Sequence, residues 1–190
     1  MSNLKEISTA INILSTNGTK KKDISILQCN SQYPTPYTDV NLQVINTLKK
    51  TFKLNVGISD HTQGYEVPIA AATFGIKIIE KHLTLNKKLF GPDHQSSLNP
   101  LEFKAMVRSV RNIEKAMGSK KKIVTKSEKK NIKFARKSLV AIKKIKKNDF
   151  FTFDNIGIKR PGNGIPASSI YKIIGKKSKF NFNIDQLIKK

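Results

Sequence analysis

The stretch that decides the fold spans residues 59–94. It contains S-D-H-T at 59–62, I-E-K-H-L-T at 79–84 and G-P-D-H at 91–94, and the first two segments each end an apolar, strand-like run. All three histidines of the chain lie in these segments, and each follows an acidic residue by one or two positions. Neutral imidazole is the commonest side-chain metal ligand and the usual acid–base group near neutral pH. We therefore expect the chemistry of the protein here.

The composition is that of a globular chain. Its 190 residues, 38% of them hydrophobic, suffice for one medium domain or for a partial domain and a small one. No apolar run approaches the roughly 20 residues of a membrane span, and the first residues lack the apolar core of a signal peptide. The single Cys29 excludes an internal disulfide and is expected to lie buried at a strand end. We expect a cytoplasmic protein with no membrane partner.

The net charge of +23 suggests nucleic-acid binding but does not require it. Only four of the 36 basic residues are arginines, and the lysines are spread over the whole length. The densest run, residues 120–122, has no interleaved aromatic side chains. These features favour a lysine-rich surface over a nucleic-acid site, so we expect no nucleic-acid partner. The positive field would still attract an anionic small-molecule substrate.

Helical and strand-like periodicities alternate along the first two thirds of the chain. Helices are predicted at residues 3–14, 40–52 with Asp39 as N-cap, 67–74 and 99–117, and strands at 23–29, 55–58 and 76–85. The last helix has Asn99 as N-cap, Pro100 at its first position and Glu102 where it can close a capping box. This order predicts a parallel sheet with crossover helices.

Parallel sheets carry their sites at the carboxyl ends of the strands. Candidate polar side chains lie at or just past these ends: Ser31, Tyr33, Ser59, Asp60, His61 and His82. A closed barrel of this type needs eight strands, and three are predicted here. The fold class is therefore α/β, with residues 1–118 as the last part of a larger barrel.

The texture of the sequence changes after residue 118. Residues 119–133 are polar and lysine-rich, which predicts a linker or a frayed helix. Residues 134–190 contain short apolar stretches separated by turn signals such as P-G-N-G. They predict a small, β-rich second domain that is marginally stable on its own.

Two interpretations of His61 and His82 stay open. Because they end consecutive parallel strands, they can face each other across one site. They are either satisfied by backbone groups or bind a divalent metal that keeps open positions and acts as a Lewis acid on a carbonyl. Asp60 and Glu80 are candidate orienting residues or ligands, beside the alternative of ordinary polar strand ends.

Four other residues are weaker candidates on their own. Asp93 lies in a Pro-Asp turn next to the predicted site, and such turns are common. Ser31 and Ser59 could donate to a phosphate, although serines in such loops are usually only loop formers. Arg160, in K-R-P-G, presents a rigid fork of donors, but the sequence alone favours a solvated side chain.

Six strings occur in a specific order along the whole chain: C-N-S-Q-Y-P-T-P, V-G-I-S-D-H-T, A-A-A-T-F-G, I-I-E-K-H-L-T-L, G-P-D-H-Q-S-S-L and K-R-P-G-N-G-I. Together they resemble the sialic acid synthase family, which comprises N-acetylneuraminate, legionaminate and pseudaminate synthases. The resemblance implies a (β/α)8 barrel followed by an antifreeze-like (SAF) domain. It also implies a domain-swapped homodimer in which the small domain caps the partner's active site.

The resemblance also implies a reaction. Phosphoenolpyruvate condenses with the open aldehyde form of an N-acetylmannosamine-type sugar, giving a nine-carbon 2-keto acid and phosphate. C3 of phosphoenolpyruvate attacks the aldehyde, water adds at C2, and phosphate leaves with C–O cleavage. The implied cofactor is a divalent metal, Mn²⁺ first, with Mg²⁺ or Co²⁺ as alternatives.

The family's site residues carry over onto matching positions. The implied metal ligands are His61 and His82, and the implied catalytic acids are Glu80 and Asp93. Substrate contacts are implied for both reactants: Ser31 and Ser59 for phosphoenolpyruvate, and Tyr33, Asp93, Phe134 and Arg160 for the aminosugar. Arg160 is implied to reach the sugar of the neighbouring subunit.

The length departs from the family's pattern. Family members are considerably longer, and about five of the eight barrel strands are not in this sequence. We expect a truncated, split or misannotated-start reading frame, with little or no activity unless an N-terminal barrel fragment complements it. The alternative is a non-catalytic remnant that acts as a dimerising or sugar-binding SAF-domain module. The S-Q-Y-P string favours legionaminate-type substrates only slightly.

Overall fold

The computed structural model describes residues 1–189 and divides the chain into two units, Met1–Ser119 and Lys120–Lys190. Among the helices in the described residues, none combines the length and the apolarity that crossing a bilayer requires.

The first unit alternates helices and strands as predicted. In chain order its elements are α1 (Leu4–Thr16), β1 (Ser25–Cys29), α2 (Val44–Phe52), β2 (Asn55–Asp60), α3 (Glu66–Ala72), β3 (Ile79–Lys81) and α4 (Pro100–Met117). The three strands form one parallel sheet in the order β1-β2-β3. The parallel sheet that the α-β alternation predicts is therefore confirmed.

Local capping sets the ends of the two longest helices. Asn99 accepts a hydrogen bond from the Glu102 backbone and Glu102 accepts one from the Asn99 backbone, which closes the predicted capping box ahead of α4. Asn3 and Glu6 form the same reciprocal pair at α1. Each box satisfies backbone N–H groups that no helical carbonyl can reach.

Two predicted elements in this unit, α2 and β3, differ most from the structure. Helix α2 begins at Val44 rather than at residue 40, because Asn41 adopts a left-handed φ of 49° that no helix can continue through. Asp39 consequently ends a short 3₁₀ turn and does not cap the helix. Strand β3 is also shorter than predicted, because the chain past Lys81 pairs with Leu98 only as an isolated bridge.

The two faces of β2 differ in what they contact. Val56 and Ile58 point toward the helices and are buried with Ile45 and Leu48 of α2. On the other face, Gly57 lets the backbone of Ile78 approach so closely that a Cβ would collide with its carbonyl oxygen. The alternation therefore places odd-numbered residues of β2, including Ser59, on the face away from the helical core.

The second unit is built around one compact core. Its elements are α5 (Lys126–Ala135), β4 (Ser138–Ala141), β5 (Ile156–Lys159) and α6 (Ile170–Ile173), and β4 pairs with β5 antiparallel. Its core residues are largely aliphatic and nearly inaccessible: Leu139, Ala141, Ile145, Phe151, Ile156, Ile173, Phe182 and Ile188. Helix α5 begins at a Thr125–Glu128 capping box inside the segment predicted to be a linker or frayed helix.

Candidate active site

Strand register brings the predicted residues to one edge of the sheet. Cys29 of β1 pairs with Ser59 of β2, and Ser59 pairs with Glu80 of β3. His61 and His82 each follow directly after the last residue of their strands. The carboxyl ends of all three strands therefore meet at this edge, as the sequence predicts.

Two of these strand ends close with the same kind of turn. The Asp60 side chain accepts a hydrogen bond from the Thr62 backbone N–H at 3.0 Å, and the Asn30 side chain accepts one from the Gln32 backbone at 2.8 Å. Such side-chain turns mimic a backbone turn and need Asp or Asn at their first position. The central residue of the first turn is His61 and that of the second is Ser31.

The imidazole rings of His61 and His82 face one another across the strand ends. Their centroids are 5.0 Å apart and their planes are nearly perpendicular, at 82°. A metal ion lies about 2 Å from each ligating nitrogen, so two rings that share one ion have centroids roughly 5 Å apart. The separation of the two rings fits a shared divalent ion.

The hydrogen bond of His61 fixes which nitrogen is available. Nδ1 lies 2.7 Å from the carbonyl oxygen of Asn30, and a carbonyl can only accept. Nδ1 therefore carries the proton, and Nε2 keeps a free lone pair. Metal-binding histidines almost always donate their other ring N–H in this way.

The protein supplies two imidazoles rather than a complete ligand cage. In residues 1–189, no cluster of three or more His, Cys, Asp or Glu side chains is arranged to hold a metal ion. The nearest acid to His82 is Asp93, whose Oδ2 lies 3.7 Å from Nδ1. The donor set fits a divalent ion that keeps several positions open.

Tyr33 joins the site from the loop after β1. Its ring stacks on His82 with centroids 4.4 Å apart and meets His61 edge-on at 5.3 Å. The loop is held there by a 2.8 Å backbone hydrogen bond from Thr35 N–H to the carbonyl of His61. Tyr33 therefore packs against both imidazoles.

The Tyr33 hydroxyl begins a short hydrogen-bond chain. Ser97 Oγ donates to the Asp93 carbonyl at 2.7 Å, so it accepts from the Tyr33 hydroxyl at 3.1 Å. Burial raises the pKa of Tyr33, and the nearby charges of Asp93 and Asp60 raise it further. The phenol accordingly stays protonated at neutral pH and acts as a donor.

Ser59 and Glu80 are hydrogen-bonded to each other. The Ser59 hydroxyl donates to Glu80 Oε1 at 2.6 Å, and Ser59 is buried whereas Glu80 is exposed. Ser59 lies two residues before His61, and Glu80 lies two residues before His82. All four side chains therefore lie on the same face of the sheet. The Ser59–Glu80 pair places a carboxylate and a hydroxyl beside the imidazole pair.

The loop at residues 91–94 forms a recess next to His82. The recess has a volume of about 340 Å³ and is lined by His82, Leu83, Gly91, Pro92, Asp93, His94 and Ser97. His94 Nδ1 lies 2.8 Å from Thr84 Oγ1, so it is engaged outside the imidazole pair. Asp93 is half-exposed and faces the recess rather than a buried partner.

The family profiles agree with this geometry. The NeuB family profile matches residues 1–122, and the SAF domain profile matches residues 136–190. The chain belongs to the NeuB family. The fold prediction is confirmed, because the first unit is the C-terminal part of a (β/α)8 barrel with three of its strands and a small SAF domain follows it.

Three relatives of this NeuB-family chain are named as synthases of legionaminic, pseudaminic or N-acetylneuraminic acid. It is 47% identical over 189 residues to the N,N'-diacetyllegionaminic acid synthase of Campylobacter jejuni, covering 100% of this chain and 57% of that protein. It is 39% identical over 170 residues to the pseudaminic acid synthase of the same species, covering 90% and 49%. The crystal structure of N-acetylneuraminic acid synthetase from Leptospira borgpetersenii superposes with a TM-score of 0.61 at 35% identity, over 70% and 45% of the two chains. The chain thus spans about half the length of these relatives.

The second unit of this NeuB-family chain carries the last two predicted residues. Phe134 lies near the end of α5, just ahead of the SAF match, and is 71% exposed. Arg160 is exposed, and its Nε donates to the Ala135 carbonyl at 3.3 Å, which brings it close to the end of α5. Arg160 and Phe134 therefore lie near each other within this unit.

Two predictions about single residues need correction. Cys29 was expected to be buried, but it is exposed, because it ends β1 on the face away from the helices, with Sγ 4.0 Å from His61 Nδ1. Asp60 was a candidate orienting residue or ligand, and only the ligand alternative fails, because its carboxylate is buried and bound to Lys81 and Thr62 on the helical side. Asp60 therefore stabilises the strand end that carries His61.

Sequence reasoning missed two polar residues in this NeuB-family site. Lys81 is buried opposite Asp60, and strand register alone could have suggested it, since the two residues pair directly. Ser97 links Tyr33 to the Asp93 loop, and no local pattern identifies it. Both act across long sequence separations that periodicity does not report.

Proposed function

We propose that this chain forms the aldehyde-binding part of a nonulosonic acid synthase. The enzyme would condense phosphoenolpyruvate with an N-acetylmannosamine-type sugar to give a nine-carbon 2-keto acid and phosphate. The observation that carries this proposal is the facing pair of His61 and His82 rings, 5.0 Å apart at the carboxyl ends of neighbouring strands. Family membership and the relatives' names support the same reaction class.

The two histidines would hold the metal through their ring nitrogens. His61 is prepared for this because its Nδ1–H is committed to the Asn30 carbonyl, leaving Nε2 free. A divalent ion bound there, Mn²⁺ in our proposal, would supply Lewis-acid polarisation of an aldehyde oxygen. Tyr33, stacked on His82, limits the positions that the second ring can adopt.

Ser59, Ser31 and Glu80 would act on phosphoenolpyruvate. The two serines would donate to its phosphate or carboxylate, Ser31 from the centre of an exposed turn and Ser59 from the strand itself. The Ser59 hydroxyl is bonded to Glu80, so substrate binding would have to compete with that hydrogen bond. Glu80 would then be released as a carboxylate able to accept a proton near the reacting carbons.

Asp93 and Tyr33 would bind the aminosugar. Asp93 borders the recess beside His82 and is free to accept hydrogen bonds from sugar hydroxyls. Tyr33 stays a neutral donor because its pKa is raised, and it is tied to the Asp93 loop through Ser97. Ordering this loop would place the aldehyde carbon next to the imidazole pair.

Arg160 and Phe134 would complete the site from a second copy of the chain. Both side chains are exposed on the second unit, where an arginine fork could bind an acetamido carbonyl and a phenyl ring could cover its methyl group. We propose a homodimer with this exchange of domains. Among the sugars, we propose a legionaminate-type precursor, because a relative that is 47% identical to this chain is named N,N'-diacetyllegionaminic acid synthase.

The activity assay separates the enzyme from a non-catalytic module. Phosphate release is measured with phosphoenolpyruvate, N-acetylmannosamine and Mn²⁺, first for the 190-residue chain alone. It is then repeated after co-expression with the preceding barrel strands of the Campylobacter jejuni legionaminic acid synthase. We expect little or no turnover alone and turnover after complementation. Absence of turnover in both, with both chains folded and associated, would favour the dimerising or sugar-binding module.

The metal site has its own test in the intact chain. We expect Mn²⁺ to raise the melting temperature of the wild-type chain and to leave that of His82→Ala unchanged, because one imidazole cannot hold the ion. His94→Ala is the matched control, since His94 bonds to Thr84 outside the pair and should keep the shift. An undiminished shift in His82→Ala would contradict the ligand assignment.

A further inference from the structure

A fully buried ion pair lies behind the two histidines. Lys81 Nζ is 2.7 Å from Asp60 Oδ2, and the side chains are 0% and 1% exposed. Asp60 and Lys81 are paired in register on β2 and β3, immediately before His61 and His82. Because successive strand residues point to opposite faces, the ion pair faces the helices while the imidazoles face the site. The pair cannot touch substrate from there.

The ion pair connects the supports of both histidines. Asp60 Oδ1 accepts from the Thr62 N–H at 3.0 Å and Oδ2 accepts from the Thr62 hydroxyl at 3.1 Å, which closes the turn around His61. The Lys81 ammonium donates both to Asp60 and to the Thr62 carbonyl. One side chain on the strand of His82 thus holds both ends of the turn that carries His61.

Burying two charges is an expensive way to stabilise a fold. Desolvation offsets most of the attraction, so buried pairs can often be replaced by apolar residues of similar volume without loss of stability. A geometric role explains the pair better than a stabilising one. Ile58, two residues before Asp60 on the same strand face, and Val67 of α3 belong to the buried apolar core on this side of the sheet.

We propose that the Asp60–Lys81 pair is a positioning device that fixes the imidazoles of His61 and His82 relative to each other. Without it, the turn and β3 remain connected through the backbone pairing of three residues, the Ser59–Glu80 hydrogen bond and the Tyr33 ring, none of which holds the Thr62 end of the turn. The distance of 5.0 Å between the two imidazole rings is then no longer fixed. The consequence for metal binding rests on the proposed function, whereas the positioning itself does not.

The decisive variant removes both charges together. Asp60→Asn with Lys81→Met leaves no unpaired buried charge and keeps an oxygen at position 60 that can still accept from Thr62 N–H. It therefore removes the connection to β3 but keeps the turn. Val110→Ala, in a separate core cluster, is the control for a general loss of stability.

The first measurement uses metal-free full-length chain. The chain has three histidines, so a ¹H–¹³C NMR spectrum contains three sets of imidazole ring signals. Single His→Ala variants assign each set to its residue. In the double variant we expect the signals of His61 and His82 to move toward free-histidine positions, with those of His94 unchanged. Val110→Ala should move none of the three. Unchanged signals in the double variant would overturn the positioning role.

The second measurement is Mn²⁺ affinity, followed by the EPR signal of free Mn²⁺. We expect the double variant to bind roughly 10- to 100-fold more weakly, the loss typical of residues that orient metal ligands. If the wild-type chain binds no Mn²⁺ while the ring signals still move, the proposed metal site fails and the positioning role stands. If the double variant binds Mn²⁺ as tightly as the wild type and its ring signals do not move, only the positioning role is contradicted.

A milder variant keeps the inference testable if the double variant does not fold. Thr62→Val removes the 3.1 Å hydrogen bond to Asp60 at nearly constant volume and leaves the backbone contacts of residue 62 in place. We expect it to shift the ring signals of His61 more than those of His82, and to weaken Mn²⁺ binding a few-fold. No shift of either ring would overturn the proposal.

Discussion

The two units bury their apolar side chains in different ways. The SAF domain has one core. Its C-terminal segment pairs with β4 and with the residues just after β4 through isolated bridges such as Val140–Leu187 and Ile145–Phe182. The barrel unit has two separate cores on the helical side of a three-stranded sheet, and β1 and β3 have one strand neighbour each in the described residues. The barrel unit, which carries the candidate site, is therefore the less enclosed of the two units. The comparison predicts that the two units can be destabilised separately.

The largest effect is expected from Phe182→Ala in the SAF domain. Phe182 is 3% exposed, and its backbone exchanges hydrogen bonds of 2.8 and 3.0 Å with Ile145. Truncating a buried phenylalanine costs about 3–5 kcal/mol, which is close to the whole stability of so small a domain. Hydrogen exchange measured by mass spectrometry should show protection lost throughout residues 136–189 and retained in residues 4–117.

The matched control for Phe182→Ala is two residues away. Phe180 contacts the Phe182 ring at 6.4 Å but is 49% exposed, so Phe180→Ala should cost about 1 kcal/mol and leave protection in place. If Phe182→Ala also removed protection from the barrel unit, the two units would unfold together. The comparison would then be wrong.

The intermediate effect is expected from Gly57→Ala in the barrel unit. The added methyl group would collide with the Ile78 carbonyl and with a Leu27 methyl, so the sheet must shift at the cost of about 1–3 kcal/mol. Exchange should quicken in β1, β2 and β3 and stay unchanged in the SAF domain. Gly157→Ala on β5 is the contrast, because its nearest neighbour is a methyl group of the partly exposed Ile142 side chain rather than backbone. A larger effect at Gly157 would contradict this reasoning.

The smallest effect is expected from Glu102→Gln, and it depends on pH. The hydrogen bond from Lys87 lowers the pKa of Glu102 from its usual 4.5. Since the folded state favours the carboxylate, the stabilisation is present above pH 4.5 and is lost as the pH falls through the lower, folded-state pKa. Glutamine keeps the capping box, so only the partly exposed ion pair is lost, at about 0.5 kcal/mol near neutral pH.

Urea unfolding at neutral pH and at about pH 3 measures this difference. The wild type should exceed Glu102→Gln at neutral pH, and the two should converge in acid. Glu114→Gln, in the same helix with a more exposed Arg111 partner, should match the wild type at both pH values. A difference that grows in acid would refute the assigned direction of the pKa.

Local patterns in the sequence predicted most of the barrel unit. The capping boxes depend on residues three apart, and the placement of His61 and His82 depends on strand ends, so both are readable from short segments. The direction of the sheet followed from the alternation of helices and strands. The family motifs then predicted the NeuB family, which composition alone could not.

The features that sequence reasoning predicted wrongly or missed depend on contacts between residues far apart in the sequence. The left-handed Asn41 that delays α2 is a conformation that asparagine tolerates but does not require. The burial of Lys81 depends on Asp60, which lies on another strand, and single-residue statistics place lysine at the surface. The exposure of Cys29 depends on which face of β1 the helices cover.

In the turns after β1 and β2, one residue closes the turn and the next residue presents its side chain to the candidate site. Asn30 and Asp60 close the turns with their own side chains, so the residues at the centres, Ser31 and His61, contribute no side-chain hydrogen bond to turn closure. A change at Ser31 can therefore alter what is bound without altering the loop that presents it, whereas His61 also donates to the Asn30 carbonyl and helps to hold that loop. Evolution can then exchange substrate contacts at position 31 at little cost to folding, while positions 30 and 60 are far less free to vary.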